Sequence, residues 1–405
     1  MAKKSPERAR RSRKQHAFPP ESKDSSLSMH DLRAYAASRC FLQPAPLGHT
    51  LSALKFVQAD PIRCPARAQD LILLHRVPSY RAGDLERSYP SLDIEEDFFI
   101  NYGFVSRDLH TLMHPRAARA KWGKQRLSDA SAVKAWIAQR GEAHPRDVDD
   151  HFQKGSVTNW FGGQSKATTH LLDGMHYRGM LRVARRDNGI RVYAPRPHTD
   201  HDVPAIEAMD TFVDALIKLY APLPARSLTR IISMLRPAAP QWQHLRKAAL
   251  ARALKRHAHA RIEGVEWYWP ADENPKSSTY RDAATHVRIL APFDPVVWDR
   301  TKFELLWGWS YRFEAYTPAP KRTMGYYAMP LLWQDCVVGW CNAPIINGVC
   351  ELSKGFVTEP TSAAFKSAWR AQVQQFEAFL DCEIRETCSP RNRSRLCANQ
   401  CARPI

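Results

Sequence analysis

Residues 165–195, SKATTHLLDGMHYRGMLRVARRDNGIRVYAP, place a helical run directly before two short strand-like runs joined by Asn188-Gly189. Asn-Gly is the strongest short signal for a tight β-hairpin, because both turn residues must accept positive φ. Ser165 is read as the cap of the helix. Upstream, SAVKAWIAQRGEA (131–143) has apolar residues at helical spacing and stops at Gly141. PRDVDDHFQK (145–154) is a second, shorter helix with Pro145 in its first turn, and GSVTNWFGGQ (155–164) is read as a turn. Three helices followed by a two-stranded ribbon is the order of a winged helix-turn-helix. The ribbon carries Arg182, Arg185, Arg186 and Arg191. These are either solvated side chains on a structural wing or contacts to a phosphate backbone or minor groove. The charge of the chain favours contact.

The order repeats further on. AIEAMDTFVDALIKLYA (205–221), SLTRIISML (227–235) and QWQHLRKAALARALKRHAH (241–259) read as helices, and RIEGVEWYWP (261–270) as another ribbon. On the third helix Ala249, Leu250, Ala253 and Leu254 form an apolar stripe, with Lys247, Arg252, Lys255 and Arg256 off it. Near the start, SMHDLRAYAASRC (28–40) is a helix capped by Ser28, and KFVQAD (55–60) is extended. Between residues 287 and 340 aromatics and β-branched residues are broken by Pro and Gly, as in an antiparallel meander or small barrel. AAFKSAWRAQVQQFEAFL (363–380) is an amphipathic helix, and the tail after Asp381 is expected to be loosely ordered. The expected class is α+β: tandem winged helix-turn-helix units followed by an antiparallel β meander or small barrel. The expected boundaries are a disordered basic arm (1–26), a winged-helix-like unit (27–125), winged helices (126–200 and 201–275), a β domain with its C-terminal helix (276–381) and a cysteine-containing tail (382–405).

With 405 residues the chain is long enough for several cores. Its formal charge of +18 and pI near 9.6 point to a polyanionic partner, most commonly nucleic acid. No apolar stretch is long enough to span a membrane, and the first residues form a basic arm with no apolar signal region. Nine cysteines, an odd number, fit a reducing compartment. Cys382, Cys388, Cys397 and Cys401 cluster at the end, but their spacing matches no standard zinc pattern, and no metal is assigned.

Two further stretches converge on a family. The first is KFVQADPIRCPARAQDLILLHRVPSY (55–80), with Gln58 and Asp60 flanking Ala59, then Arg67, Asp70, Arg76 and Tyr80. The second is the run APFDPVVWDR, YRFEAYTPAPKR, GYYAMPLLW and VVGW within residues 291–340. In these motifs and their order the chain resembles the AlkZ/YcaQ-type winged-helix DNA glycosylases over about residues 28–381. Asp at the third motif position resembles the YcaQ-like branch. There are departures: Ala59 is smaller than usual, Pro61 follows directly, Gln69 stands where His is typical, and Asn101 stands at another histidine position.

The resemblance implies a DNA-repair enzyme that hydrolyses the N-glycosidic bond of N7-alkylated purines and unhooks interstrand crosslinks. Asp60 and Gln58 would be its catalytic pair. In an extended segment residues two apart share a face, so both side chains are expected to point one way while Val57 and Ala59 point inward. An N7-alkylated purine already carries positive charge, so what remains is to stabilise an oxocarbenium-like sugar and direct a water. A carboxylate and an amide suit those tasks. Judged by its neighbours alone, Asp60-Pro61 also reads as an ordinary helix start. No lysine adjoins the motif except Lys55, so a monofunctional enzyme leaving an abasic site is expected. Arg67, Arg76, Lys321 and Arg322 are candidate DNA contacts, with Arg67 and Arg76 alternatively pairing with Asp70 or Asp84. Tyr102 and Tyr326 are candidate pocket residues. A base tethered to the opposite strand cannot simply rotate into a pocket, so a shallow site is expected. The partner is damaged duplex DNA, no cofactor is expected, and the protein is read as a cytoplasmic, nucleoid-associated monomer. The rival readings are a winged-helix transcriptional regulator without catalysis and an inactive damage binder.

Overall fold

The computed structural model describes residues 27–118, 120–153, 155–158, 164–197, 201–282 and 286–388. The basic arm (1–26) and most of the cysteine tail therefore lie outside the described residues.

The helix Met29–Ser38 opens with a complete capping box, in which Ser28 and Asp31 satisfy each other's backbone N–H groups. Strand Phe56–Gln58 then pairs with Tyr102–Ser106, which pairs in turn with Ile94–Phe98. Gln58 lies opposite Gly103. A Cβ at Gly103 would stand 2.3 Å from the Val57 carbonyl oxygen, so only glycine lets these strands close.

Helices Lys124–Arg140, Pro145–Phe152 and Ala167–Tyr177 precede the hairpin Leu181–Asp187/Ile190–Pro195. Gly141 takes positive φ at the end of the first, and Pro145 opens the second. Asn188 and Gly189 have φ of 48° and 84°, the conformation the Asn-Gly turn demands. Two details differ from expectation. A short strand pair, Ser156–Thr158 with Gln164–Lys166, occupies part of the expected turn. Ser165 belongs to that pair, and the helix begins after Lys166 with no side-chain cap.

The second series runs Ala205–Tyr220, Ala225–Ser233, Arg246–Arg256 and the hairpin Ala258–Ile262/Val265–Trp269. Leu223–Pro224 adds a third strand to that hairpin. Pro240–Leu245 is a kinked 3-10 turn, so the third helix starts later than its composition suggests. Ala249 and Ala253 are fully buried, as the stripe requires.

The C-terminal part is a six-stranded sheet built on Met329–Trp333, Cys336–Asn342 and Val349–Phe356. Val287–Ile289, these three strands and Ile345–Ile346 pair antiparallel, as an antiparallel meander or small barrel requires, but part of the stretch departs from it. Arg300–Trp307 is a helix capped by Asp299, because Phe303, Leu306 and Trp307 bury at helical spacing. Residues 308–328 form a long connection with a single 3-10 turn. The tail beyond Asp381 is not loose at first: Ile384–Cys388 adds a parallel strand beside Val349–Phe356.

Buried clusters span the expected boundaries near 125, 200 and 275. Leu32 and Tyr35 of the first helix pack with Trp267, Phe303 and Trp309. A second cluster joins Leu71 and Ile72 to Val133, Met175, Leu331 and Trp369. No helix among the described residues is long and apolar enough to cross a membrane.

Candidate active site

Strand Phe56–Gln58 ends two residues before Asp60, and this decides the local geometry. Ala59 N still bonds the Tyr102 carbonyl (3.0 Å), after which the chain turns. Asp60 Oδ1 accepts from Ile62 N (2.9 Å), closing an Asx turn. Pro61 therefore starts no helix; the next one begins at Ala68, and the helix-cap reading of Asp60 fails.

Gln58 and Asp60 have different partners. Gln58 is 9% exposed, and its Oε1 accepts from Trp298 Nε1 (2.8 Å) and Asn101 Nδ2 (3.0 Å). Asn101 thus has a role at the position where the motif departed. Asp60, with Ala59 and Pro61, instead lines a cleft of about 410 Å³ whose walls include Arg67, Gln69, Tyr102, Arg186, Arg191 and Tyr193. Ala59 lines this space rather than pointing inward. The opposite wall comes from the 165–195 stretch, including Thr169, Leu172 and Gly189.

The electrostatics of the cleft are specific. Arg67 pairs with Glu86, Arg186 with Glu96 and Arg191 with Asp173. Among the described residues Asp60 has no cationic partner within ion-pair distance, so it is the unmatched charge of this lining. Burial pushes its carboxyl above the ordinary range, opposed by the Ile62 N–H. Gln69 is 2% exposed and its Oε1 has no hydrogen-bond partner in the protein. Gln69 thus offers the cleft lining a carbonyl oxygen that no protein donor occupies. Its burial in the helix Ala68–Leu73 follows from the apolar run around it. What hid its position in the site is that Asp60 precedes it by a loop, not a strand.

The family model for AlkZ-like DNA glycosylases matches residues 51–379. The chain belongs to the AlkZ-like DNA glycosylase family. It is a DNA-repair enzyme of glycosylase type with DNA as its partner. Among solved structures, DNA glycosylase AlkZ of Streptomyces sahachiroi is similar in fold, with a TM-score of 0.56 at 13% identity, covering 89% of this chain and 100% of that one.

The other residues singled out in this AlkZ-like chain fall into distinct places. Arg76 is corrected: it is 3% exposed, donates two bonds to fully buried Asp294 (2.7 and 3.0 Å) and packs over Phe41, so no phosphate can reach it. Asp70, one of its expected partners, instead takes Tyr80 Oη and Gly83 N. Arg67 pairs with neither Asp70 nor Asp84 but with Glu86. On the hairpin, Arg182 bonds Glu95 (3.0 and 3.1 Å) and Arg185 bonds Glu142 (2.8 Å). Arg182 and Arg186 thus tie the hairpin to strand Ile94–Phe98, while Arg185 stays the most open of the four. Tyr102 lines the cleft under the Arg191 guanidinium (5.3 Å). Tyr326 does not; it lies outside, beneath Arg322 (5.0 Å), and Lys321 is exposed next to them. Among the described residues no lysine lines the cleft, and Lys55 is paired with Asp108 (2.6 Å).

One cluster had no sequence signal beyond the spacing of two histidines. His110 and His114 both direct Nε2 at Asp97 Oδ2 (2.9 and 3.4 Å). Arg116 already bonds both oxygens of Asp97 (3.0 and 2.9 Å), so the carboxylate is neutralised and saturated without a metal. Of the four clustered cysteines, Cys397 and Cys401 lie outside the described residues, and the strand carrying Cys388 ends the described chain.

Proposed function

We propose that this enzyme hydrolyses the N-glycosidic bond of cationic, N7-alkylated purines in duplex DNA, with Asp60 as its catalytic carboxylate. The observation that carries the reading is the charge pattern of the cleft: three arginines each matched by a carboxylate, and Asp60 alone unmatched. Such a lining attracts a cation at the position of Asp60 while leaving the surroundings close to neutral.

In the reaction the C1′–N9 bond breaks and its electron pair stays with the purine, cancelling the positive charge of the leaving base. Positive charge develops on the sugar, where the Asp60 carboxylate stabilises it. A water oxygen bonds to C1′, and the proton it sheds passes to Asp60. A carboxyl with a raised affinity for protons is better suited to this last step than an ordinary one. Gln69, with its free carbonyl oxygen, is the amide placed to hold the water or an N–H of the base. Gln58 is a positioning residue: through Trp298 and Asn101 it fixes the end of the strand from which Asp60 turns.

The same reading extends to crosslink unhooking, since a cleft whose carboxylate is only half-buried admits a base still tethered to the other strand. The helix series ending in the 181–195 and 258–269 hairpins serve as winged-helix units on the duplex, with Arg185, Lys321 and Arg322 as candidate phosphate contacts. The protein acts without a cofactor, as a monomer associated with the nucleoid in the cytoplasm. The units are taken as successive series of elements dividing at about 125, 200 and 275, packed on shared cores.

The test is incubation with a duplex bearing one N7-methylguanine, and with one bearing an N7–N7 guanine crosslink, followed by alkaline cleavage of abasic sites. Strand breaks are expected from the wild type and not from Asp60→Asn. Tight duplex binding with no breaks on either substrate would replace this reading by that of an inactive damage binder.

A further inference from the structure

The connection 308–328 carries a built loop that the glycosylase reading has not used. Glu314 is 5% exposed, and its carboxylate accepts from Thr323 N (2.9 and 3.1 Å), Thr323 Oγ1 (2.9 Å), Met324 N (2.8 Å) and Gly325 N (3.2 Å). One buried carboxylate therefore pins both ends of the segment between residues 314 and 325. Inside it, Thr317 N bonds the Glu314 carbonyl (2.9 Å) and Arg322 Nε bonds the Thr317 carbonyl (2.8 Å). Pro318 and Pro320 restrict the remaining backbone.

Within this doubly anchored loop stands Tyr316, 81% exposed, the most open large apolar side chain among the described residues. Its inner neighbour is Phe313 (ring centroids 6.1 Å apart), which also meets Tyr327 (5.3 Å). Tyr327 is fully buried and lies close enough to Asp60 to feel its charge. The exposed ring is thus two aromatic neighbours from the candidate catalytic carboxylate. Lys321 and Arg322 rise from the same loop, and Arg322 covers Tyr326. A loop ordered this thoroughly, with a bare aromatic within it and two cations beside it, matches the demands of a base-stack contact flanked by phosphates.

We propose that Tyr316 stacks on a nucleobase next to the lesion, unstacking that step of the duplex, while Lys321 and Arg322 hold the adjoining phosphates. This rests on the assignment of Asp60 above, since Asp60 fixes where the lesion sits. Base–aromatic stacking of ordinary strength corresponds to roughly 5- to 100-fold in affinity per base.

The experiment uses the full chain and a duplex with one N7-methylguanine beside a 2-aminopurine, whose fluorescence rises on unstacking. Asp60→Asn is the background, so that binding is read without turnover. Binding is expected to raise the fluorescence. Adding Tyr316→Ala should abolish the rise and weaken binding by roughly 5- to 100-fold, whereas Tyr316→Phe should keep both. With so open a side chain the substitution leaves the core untouched, and an unchanged melting temperature checks this. An unchanged fluorescence rise and affinity in Tyr316→Ala would overturn the proposal, as would no rise in the parent protein. Excision by the wild type is scored separately on the same duplex, so a failure of the glycosylase chemistry shows as absent strand breaks with the fluorescence readout intact.

Discussion

Gln58 and Asp60 are separated by one residue, yet Gln58 Oε1 is held by Trp298 and Asn101 while Asp60 lines the cleft beside Arg67 and Gln69. The two side chains therefore have different duties, and their substitutions should separate. Gln58→Leu leaves the Trp298 and Asn101 N–H groups without an acceptor, which costs about 1–3 kcal/mol. Thermal unfolding should show that loss, with a fall in excision rate alongside it. Unchanged stability would mean the bonds contribute nothing.

Asp60→Asn should behave in the opposite way. A folded-state carboxyl with a raised pKa lends stability below the unfolded value, and that stability is lost as pH rises through the folded value. The wild type therefore carries an ionisation penalty near neutral pH that the amide lacks. The variant should melt at or above the wild-type temperature at pH 7, with the difference shrinking below about pH 4, the unperturbed carboxylate range. Excision should drop by about 100- to 1,000-fold while duplex binding persists.

The same raised carboxyl sets the acid limb of the rate profile. Asp60 must be ionised to stabilise the sugar and accept a proton, so activity should rise with pH and reach half its plateau above about 3.9, the value for a free aspartate. Single-turnover excision across the acid range measures this. A limb at or below the free value would contradict the assignment of Asp60.

Gln69→Leu removes a buried amide whose Oε1 has no partner, so stability should hold or rise slightly. Excision should nevertheless fall, by about 10-fold or more if the amide positions a water or a base. Gln69→His, which restores the residue typical of the family at this position, should retain more activity than the leucine variant. Equal rates for all three proteins would leave Gln69 without a part in the reaction.

Arg76→Ala strands the fully buried carboxylate of Asp294. Breaking such a pair costs about 3–5 kcal/mol, so urea unfolding should show a large loss. Arg185→Ala, by contrast, should leave unfolding unchanged and lower the slope of log affinity against log salt by about 1. That contrast separates the arginine that holds the fold from the one open to DNA.

Much of this architecture was legible because its signals are local. Asn188-Gly189 specified the hairpin, Gly141 and Pro145 marked a helix end and start, and Ser28 with Asp31 marked another. The glycosylase motif was legible as a resemblance in 55–80. What stayed hidden depended on distant partners. Arg182 and Arg186 look like a free basic wing until Glu95 and Glu96 arrive from about ninety residues away. Arg300–Trp307 is rich in aromatics and so resembled a strand, yet burial of Phe303, Leu306 and Trp307 on one side makes it a helix. The divergence of Gln58 from Asp60 could not be read from alternation, since the strand stops at Gln58.

Two of the bonds that shape the cleft segment reach far along the chain: Gln58 to Trp298 and Arg76 to Asp294. During synthesis from the N-terminus, residues 58 and 76 leave the ribosome long before 294 and 298 exist. The cleft lining, residues 59 to 193, is thus synthesised before the two residues that fasten its first segment to the rest of the fold. The last fastenings of the segment that carries Asp60 wait for residues 294 and 298.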